Sequence, residues 1–186
     1  MKALYLTLSI LAGIVFPSSA LAAGTYSIDS AKSKISFKIM NKPPGKPSAS
    51  EVPGSFKEFS GTVVFDKADP AKSSVKMEIK TTSVDTGNKK RDDHLRNQDF
   101  FKVKEYPTMS FKSTKVTSKG DDKYEVEGEF TLLGKSKTIA VTFEATGANG
   151  GKTSFQIKRS EYGMKYRVPD TADEVDVTLE IVGKKK

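Results

Sequence analysis

Residues 124–130 read Tyr-Glu-Val-Glu-Gly-Glu-Phe, so glutamate occupies every second position. Successive side chains of a β-strand point to opposite faces of a sheet. The stretch therefore predicts a strand with its glutamates in water and its remaining side chains on a buried face. Strands that are buried on one side only are typical of antiparallel sheets.

The same alternation recurs from Tyr26 to Ile181. Turn-forming sequences such as Lys67-Ala-Asp-Pro70 and Gly147-Ala-Asn-Gly-Gly151 separate the alternating segments. Short strands joined by short turns favour an antiparallel barrel or sandwich, and a barrel has the advantage of leaving no exposed sheet edge. We predict an all-β fold of eight or nine strands, built on segments 26–28, 35–39, 59–65, 75–79, 109–111, 124–130, 139–143, 155–157 and 175–181.

Two segments interrupt the alternation. Residues 89–97 are good helix formers and Asn88 is placed to cap the first turn, so we predict a short helix between strands, acting as a lid or plug. Asn41 to Ser55 contains four prolines and is predicted to be a long loop near a barrel opening, because proline is excluded from central strands.

The first 22 residues combine a short basic start, an apolar run and a small-residue Ala20-Leu-Ala22 ending. These are the three parts of a secretory signal peptide, and we expect cleavage near Ala22. A transmembrane anchor is the weaker alternative, because crossing a bilayer takes about 20 apolar residues. We assign residues 23–186 to one exported, soluble domain.

Composition excludes several classes of protein. The 186 residues include no cysteine and one histidine, which removes disulfide frameworks and thiolate metal sites and leaves little room for histidine-rich metal chemistry. The formal net charge of +8 suggests an anionic partner. Lysines are dispersed over most of the predicted strands and turns, so we expect no nucleic-acid partner and interpret the charge mainly as a solvated outer face.

Catalysis would have to involve His94, the only imidazole. Asp92, Asp93 and His94 point about 100° apart on a helix and do not converge on a metal. We found no nucleophile elbow, zinc-protease motif or phosphate loop, and we predict no catalytic residues. Arg91, Asp92, His94 and Arg96 either fasten the helix to the barrel, with Asp92 and Arg96 spaced for an ion pair, or contribute to a ligand site.

The predicted inner face is rich in phenylalanine and methionine. An eight-stranded barrel is about the size at which the interior is filled by side chains or holds one small ligand. Bulky phenylalanines favour a packed core, whereas Gly61 and Gly128 suggest local room. The pattern alone leaves a packed core and a ligand cavity both open.

Several motifs resemble the YceI-like family of exported lipid-binding proteins. They follow one another in the order expected across residues 24–183: Gly61-Thr-Val-Val-Phe-Asp66, Thr82-Ser-Val-Asp-Thr-Gly-Asn88, Arg91-Asp-Asp-His-Leu-Arg96, Asp99-Phe-Phe101, Tyr106-Pro-Thr108, Phe111-Lys-Ser-Thr114, Gly128-Glu-Phe-Thr-Leu-Leu-Gly134 and Arg159-Ser-Glu-Tyr-Gly-Met164. The sequence departs from the family where Lys32, Asn41 and Leu133 stand in place of histidine.

The resemblance implies a lipocalin-like eight-stranded antiparallel barrel that holds a long isoprenoid or similar amphipathic lipid, in the bacterial periplasm or secreted. It implies no cofactor, no metal and no stable membrane insertion, and it leaves the oligomeric state open. Two rival hypotheses are a hydrolase that uses His94 and a packed-barrel stress-response protein without a ligand. The residues we predict to contact the ligand are Phe37, Met77, Met109, Phe111, Phe130, Phe143 and Phe155, with Arg91 and His94 near the helix.

Overall fold

The computed structural model describes residues 22–186, in which eleven strands form one antiparallel sheet. Residues 1–21 of the predicted signal peptide lie outside the described residues. None of the described helices is long and apolar enough to cross a membrane. The elements are β1 (Gly24–Ile28), β2 (Lys34–Asn41), β3 (Ser50–Phe56), β4 (Phe59–Phe65), β5 (Ser74–Lys80), β6 (Val84–Asp85), α1 (Lys89–Leu95), β7 (Thr108–Gly120), β8 (Lys123–Leu132), β9 (Lys135–Thr146), β10 (Gly150–Lys158) and β11 (Thr171–Lys185), with 3₁₀ turns at Pro70–Lys72, Thr81–Ser83 and Arg159–Tyr162.

Eight strands close into a barrel in the order β1-β4-β5-β7-β8-β9-β10-β11. The ring closes where β1 pairs with β11, with Tyr26 opposite Lys185 and Ile28 opposite Gly183. Every predicted alternating segment becomes a strand of this sheet. The prediction of an all-β, eight-stranded antiparallel barrel with one short helix is therefore confirmed.

One edge of β11 is shared between two strands, which makes the ends of the barrel different. β2 pairs with β11 from Thr171 to Glu180, and β1 pairs with its last residues from Gly183. Between them, Ser33 Oγ accepts a hydrogen bond from Val182 N at 2.9 Å. β2 continues into β3 and β6, so these strands and α1 build the wall at one end of the barrel only.

The prediction of a loop from Asn41 to Ser55 is wrong in its second half. Residues 50–56 form β3, which pairs with β2 and places Pro53 opposite Lys38. Because β6 pairs only with Ser55 and Phe56, β3 is an edge strand at Pro53, where a backbone N–H is not required on both sides. The loop is confined to residues 42–49.

The predicted helix is confirmed as α1, and Asn88 Oδ1 accepts a hydrogen bond from the Arg91 N–H at 3.1 Å. The helix is fastened to the preceding segment by its arginines. Arg96 donates to the carbonyls of Thr82 and Val84 at 2.8 and 2.7 Å. The helix is therefore fastened to the segment 82–86, which precedes it, and not directly to a strand of the closed barrel.

The predicted ion pair between Asp92 and Arg96 is wrong. Asp92 is buried, and its Oδ1 accepts hydrogen bonds from the N–H and the hydroxyl of Thr86. Arg96 reaches the carbonyls described above and pairs with Asp93 at 3.3 Å. Asp92 therefore bonds to Thr86, and Arg96 bonds to backbone carbonyls and Asp93, instead of to each other. The i to i+4 spacing on the helix was not sufficient to predict the contact.

Candidate functional site

The barrel encloses a cavity of about 370 Å³. This volume lies within the range of roughly 300–1,000 Å³ typical of small-molecule sites. Its wall is formed mainly by the inward-facing apolar side chains of the barrel strands and β2, with contributions from α1 and from the segment that precedes β11. The inward row of β11 illustrates this: Val175, Val177, Leu179 and Ile181 all line the cavity.

All nine residues predicted to contact a ligand lie on the wall of this cavity. Met77, Met109 and Phe130 are buried, and the other six are half-buried. The structure therefore brings the predicted set to a single site, although their contact with a ligand stays a prediction. The nine are Phe37, Met77, Met109, Phe111, Phe130, Phe143, Phe155, Arg91 and His94.

Three of the phenylalanine rings lie against glycines rather than projecting into the lumen. A Cβ built on Gly128 would fall 2.5 Å from the Phe111 ring, and one on Gly151 would fall 2.3 Å from the Phe143 ring. A Cβ on Gly54 would likewise collide with the Phe37 ring. These rings therefore lie along the wall, and the lumen beside them stays open.

The expectation that Gly61 and Gly128 leave room for a ligand is wrong. A Cβ at Gly61 would collide with the Lys76 carbonyl oxygen at 2.5 Å and with the Ile28 side chain at 2.7 Å. At Gly128 the Phe111 ring occupies the space, and an added Cβ would also fall 2.6 Å from the Lys112 carbonyl oxygen. Both glycines serve close packing within the wall.

At one end of the cavity, buried aromatic side chains form what we call the floor: Tyr26, Phe65 and Tyr124. Each is at most 6% exposed. The rings of Phe65 and Tyr124 meet edge to face with centroids 5.1 Å apart, and the Tyr26 hydroxyl donates to the Ala22 carbonyl oxygen at 2.7 Å. Edge-to-face contact is a favourable arrangement for aromatic pairs.

At the other end, which we call the mouth, the wall contains three aromatic rings from α1 and its surroundings. His94, Phe100 and Tyr166 have centroids 5.1–5.3 Å apart in pairwise edge-to-face contact. Tyr166 is 39% exposed although it lines the cavity. Beside these rings, Thr171 Oγ1 donates to Asn41 Oδ1 at 2.9 Å and joins β11 to β2.

Among the described residues, the charged side chains on the cavity wall are three arginines, with no aspartate, glutamate or lysine; His94 also lines it. Arg91 donates from Nε to the Thr86 hydroxyl at 2.7 Å and from Nη2 to the Thr86 carbonyl at 2.9 Å. Arg167 is exposed, in the segment before β11. The mouth end of the apolar cavity therefore carries positive charge.

The third arginine, Arg159, was not among the predicted site residues. It is 2% exposed and donates to the carbonyls of Met164, Tyr166, Thr171 and Ala172 at 2.8–3.1 Å. Burial lowers the pKa of its guanidinium, and the nearby Asp173 carboxylate acts in the opposite direction. Arg159 thus organises the segment 163–172 at the mouth from within the barrel.

A second tie at the mouth joins Asp173 to Ser160. Asp173 accepts hydrogen bonds from the Ser160 N–H at 2.8 Å and from the Ser160 hydroxyl at 2.6 Å. Burial acts to raise the pKa of Asp173, but these hydrogen bonds and the charges of Arg159 and Lys158 outweigh it and hold the pKa below its ordinary value. Neither contact follows from strand periodicity.

One polar side chain inside the barrel has no partner within the described part of the chain. Thr153 is 7% exposed and lines the cavity, and its Oγ1 forms no hydrogen bond. It lies opposite Phe143, whose ring packs against the floor cluster. An unpaired buried hydroxyl is costly, so this position is a polar exception in an apolar lumen.

His94 Nε2 donates a hydrogen bond to the Asp99 carboxylate oxygen Oδ2 at 2.8 Å. Between residues 22 and 186, no cluster of three or more histidine, cysteine, aspartate or glutamate side chains is placed to hold a metal ion. Of the positions that depart from the family pattern, Lys32 is exposed in a turn and Leu133 is buried, whereas Asn41 forms part of the mouth.

Comparison with known proteins shows the family. The model of the YceI-like domain matches residues 26–183. Protein YceI of Escherichia coli is 32% identical over 183 residues, which covers 92% of this chain and 93% of that protein. The crystal structure of BcnA from Burkholderia cenocepacia is 31% identical, with a TM-score of 0.75 over 84% of this chain and 99% of that one.

A more distant solved structure shares the fold. It is a polyisoprenoid-binding domain from Saccharophagus degradans, 16% identical, with a TM-score of 0.67 over 87% of this chain and 98% of that domain. At this identity the likeness concerns the architecture alone. The match of the family model over most of the barrel, together with the Escherichia coli relative, shows that this chain belongs to the YceI-like domain family.

Proposed function

We propose that this protein binds a long-chain lipid, an isoprenoid or a similar amphipathic molecule, inside its barrel and carries no catalytic activity. The observation that supports this most is the cavity itself: an apolar lumen with a floor of buried aromatic residues and arginines at its mouth. The polyisoprenoid-binding domain that shares the fold supports the same ligand class.

Burial of an apolar chain supplies the affinity in this proposal. Each buried CH₂ is worth about 0.8 kcal/mol before the costs of association. Large ligands retain about 0.3 kcal/mol per heavy atom. A long chain therefore binds tightly without any charged contact, and Arg91 and Arg167 at the mouth would select the polar group that remains near water.

We further propose that the protein acts in the periplasm or outside the cell, after removal of residues 1–22. The support is the signal-like sequence of that segment. Fractionation of cells that express the full chain tests this: the intact mass of the periplasmic product should begin at Ala23. A product that is found in the cytoplasm at full length would contradict export.

The ligand is tested by native mass spectrometry of protein purified without detergent, followed by organic extraction. We expect a co-purifying lipid, or uptake of added geranylgeraniol. Absence of both would overturn the proposal and favour the packed barrel. His94→Ala should retain uptake, whereas a hydrolytic turnover that disappears in this variant would favour the rival enzyme.

Cavity filling sharpens the same test. Val177 lines the lumen, is half-buried and belongs to neither core cluster, so Val177→Phe places a ring in the lumen. We expect a folded protein that has lost lipid uptake. Thr178→Phe is the matched control because it adds the same ring to the next residue of β11, on the outer face. Equal uptake by both variants would contradict binding in the lumen.

A further inference from the structure

The large hydrophobic side chains exposed in residues 22–186 are all at one end of the barrel. They are Met40, Tyr166 and Val168, with 46, 39 and 38% of their surface exposed. Isolated exposed hydrophobic residues need no explanation, but a group around a cavity entrance is a different observation. Elsewhere the described outer face presents mostly charged and hydroxyl side chains.

Hydrogen bonds between the segments hold these three residues on a common rim. Met40 precedes Asn41, whose side chain is bonded to Thr171. The N–H of Lys42 donates to the Asp170 carbonyl at 2.7 Å and ties the loop 42–49 to the segment that carries Val168. Tyr166 in turn packs on His94 of α1. The rim therefore runs from β2 through the segment 163–170 to the helix.

Exposed cations accompany the apolar residues on this rim. They are Lys42, Lys46, Lys90, Lys165 and Arg167. Within the described chain, none of the five has a carboxylate within 4.0 Å, in contrast to strand lysines such as Lys80, Lys152 and Lys158, which pair with glutamates. Lys90 belongs to the rim because it precedes His94 by one helical turn. Asp170 is the acidic residue of the segments 42–49 and 163–170.

We propose that this rim docks on an anionic lipid bilayer, with the mouth facing the membrane. Exposed apolar side chains surrounded by unpaired cations match a surface in which acyl chains lie beneath negative headgroups. Because Tyr166 and Arg167 of this rim are exposed and also line the cavity, a lipid that enters beside them would pass between protein and bilayer without crossing water. The transfer of lipid at this surface rests on the proposed function, whereas the docking itself rests only on the exposed side chains and charges of the rim.

A second copy of the chain fits this surface poorly. Two rims brought face to face would oppose five cations with five cations, and like charges in contact disfavour association. An anionic bilayer instead attracts the five cations, because its headgroups carry the opposite charge. Attraction to such a surface is screened by salt, so docking should weaken as the ionic strength rises.

Co-flotation with vesicles tests the docking. Lys42→Gln with Lys165→Gln removes two rim charges, and we expect binding to vesicles of phosphatidylcholine with phosphatidylglycerol to fall about 25-fold, since each such charge contributes about fivefold. Met40→Gln with Val168→Thr should also weaken that binding. None of these four residues lines the cavity. Vesicles of pure phosphatidylcholine should bind the wild-type protein weakly.

The matched control is Lys76→Gln with Lys112→Gln. These lysines are exposed and lie directly opposite each other on β5 and β7, away from the rim. The control removes the same number of positive charges as the rim variant, so unchanged vesicle binding by the control supports docking through the rim. An equal loss in both double variants would overturn the proposal, because binding would then follow net charge alone.

Uptake of dispersed geranylgeraniol separates this proposal from the proposed function. Rim variants should take up the dispersed prenol like the wild-type protein and lose only the uptake from anionic vesicles. Normal prenol uptake with no vesicle binding by the wild-type protein overturns the docking and leaves lipid binding in place. Vesicle binding through the rim without any prenol uptake would overturn the lipid-carrier function and leave the docking in place.

Discussion

The floor and the mouth of the barrel are both rich in aromatic residues, but they are stabilised differently. At the floor, Tyr26, Phe65 and Tyr124 are almost completely buried and pack with each other and with aliphatic neighbours. At the mouth, Tyr166 is exposed and its segment is held by the buried side chain of Arg159. One end is thus closed by apolar burial and the other is shaped by hydrogen bonds to a single guanidinium.

This difference indicates a division of roles. A packed floor resists opening because exposing it costs its full burial energy, whereas a segment held by polar contacts can be exposed to water at lower cost. The mouth is therefore the end through which we expect a ligand to enter. The two ends also respond differently to mutation, which gives four tests.

The largest effect is expected at the floor. Phe65→Ala removes a ring that is 6% exposed and in contact with Tyr124, and should lower the free energy of unfolding by about 3–5 kcal/mol. Tyr166→Ala at the mouth should cost about 1 kcal/mol, because that ring is already partly in water. Urea denaturation measures both. Equal losses would remove the distinction between the two ends.

Next in size is the arginine that organises the mouth. Arg159→Met keeps the length of the side chain but leaves four carbonyl groups, one buried and three partly buried, without this donor, and we expect a loss of about 3 kcal/mol in urea denaturation. Lys158→Met changes the exposed neighbour and should alter stability by less than about 0.5 kcal/mol. A mild effect of Arg159→Met would mean that the segment 163–172 holds its shape without the guanidinium.

A smaller and pH-dependent effect is expected from Asp173. Its pKa is lower in the folded than in the unfolded protein, so its contribution is complete above the ordinary aspartate pKa of about 3.9 and disappears as the pH falls through the lower folded value. Asp173→Asn should destabilise the protein by about 2 kcal/mol at neutral pH. The difference from wild type should shrink below about pH 4.

The control for this pH dependence is Glu174→Gln, which changes the adjacent and exposed acid. Thermal unfolding curves recorded across the acid range compare the three proteins. A difference between wild type and Asp173→Asn that stays constant down to the lowest pH would show that the charge of Asp173 is not the stabilising feature.

The smallest effect is a gain. Thr153→Val replaces an unpaired hydroxyl near the floor by a methyl group of similar shape, and should raise the free energy of unfolding by about 1 kcal/mol. Ser154→Ala, on the outer face, should not stabilise. If Thr153→Val is destabilising in the ligand-free protein, the hydroxyl has a partner in solution, and the apolar floor region is wetter than its side chains indicate.

Period-two alternation was sufficient to predict the barrel strands because each of them has one buried and one solvated face. Asn88 likewise marked the start of α1 through its capping chemistry. Strand β3 was missed because Pro53 is excluded from central strands, and the sequence does not reveal that β3 is an edge at that position. The two residues of β6 are too few to show any period.

The candidate site was only partly predictable for a related reason. Alternation identifies which side chains face inward, and all nine predicted residues do line the cavity. It does not show how rings from one strand meet glycines on the next, so the role of Gly128 was misread. Arg159 carries no periodic signal, since its partners are backbone carbonyls that any sequence would supply. Its place in a family motif marked the segment but not the contact.

The pairing of rings with glycines makes the barrel wall adjustable by truncation. Where a ring covers a glycine, removing the ring exposes main chain rather than another side chain. Phe111→Ala would open a branch of the lumen that reaches Gly128, and Phe143→Ala would do the same at Gly151. A redesigned barrel could thus receive molecules with a ring or a branch part-way along their length, with the backbone of the fold left unchanged.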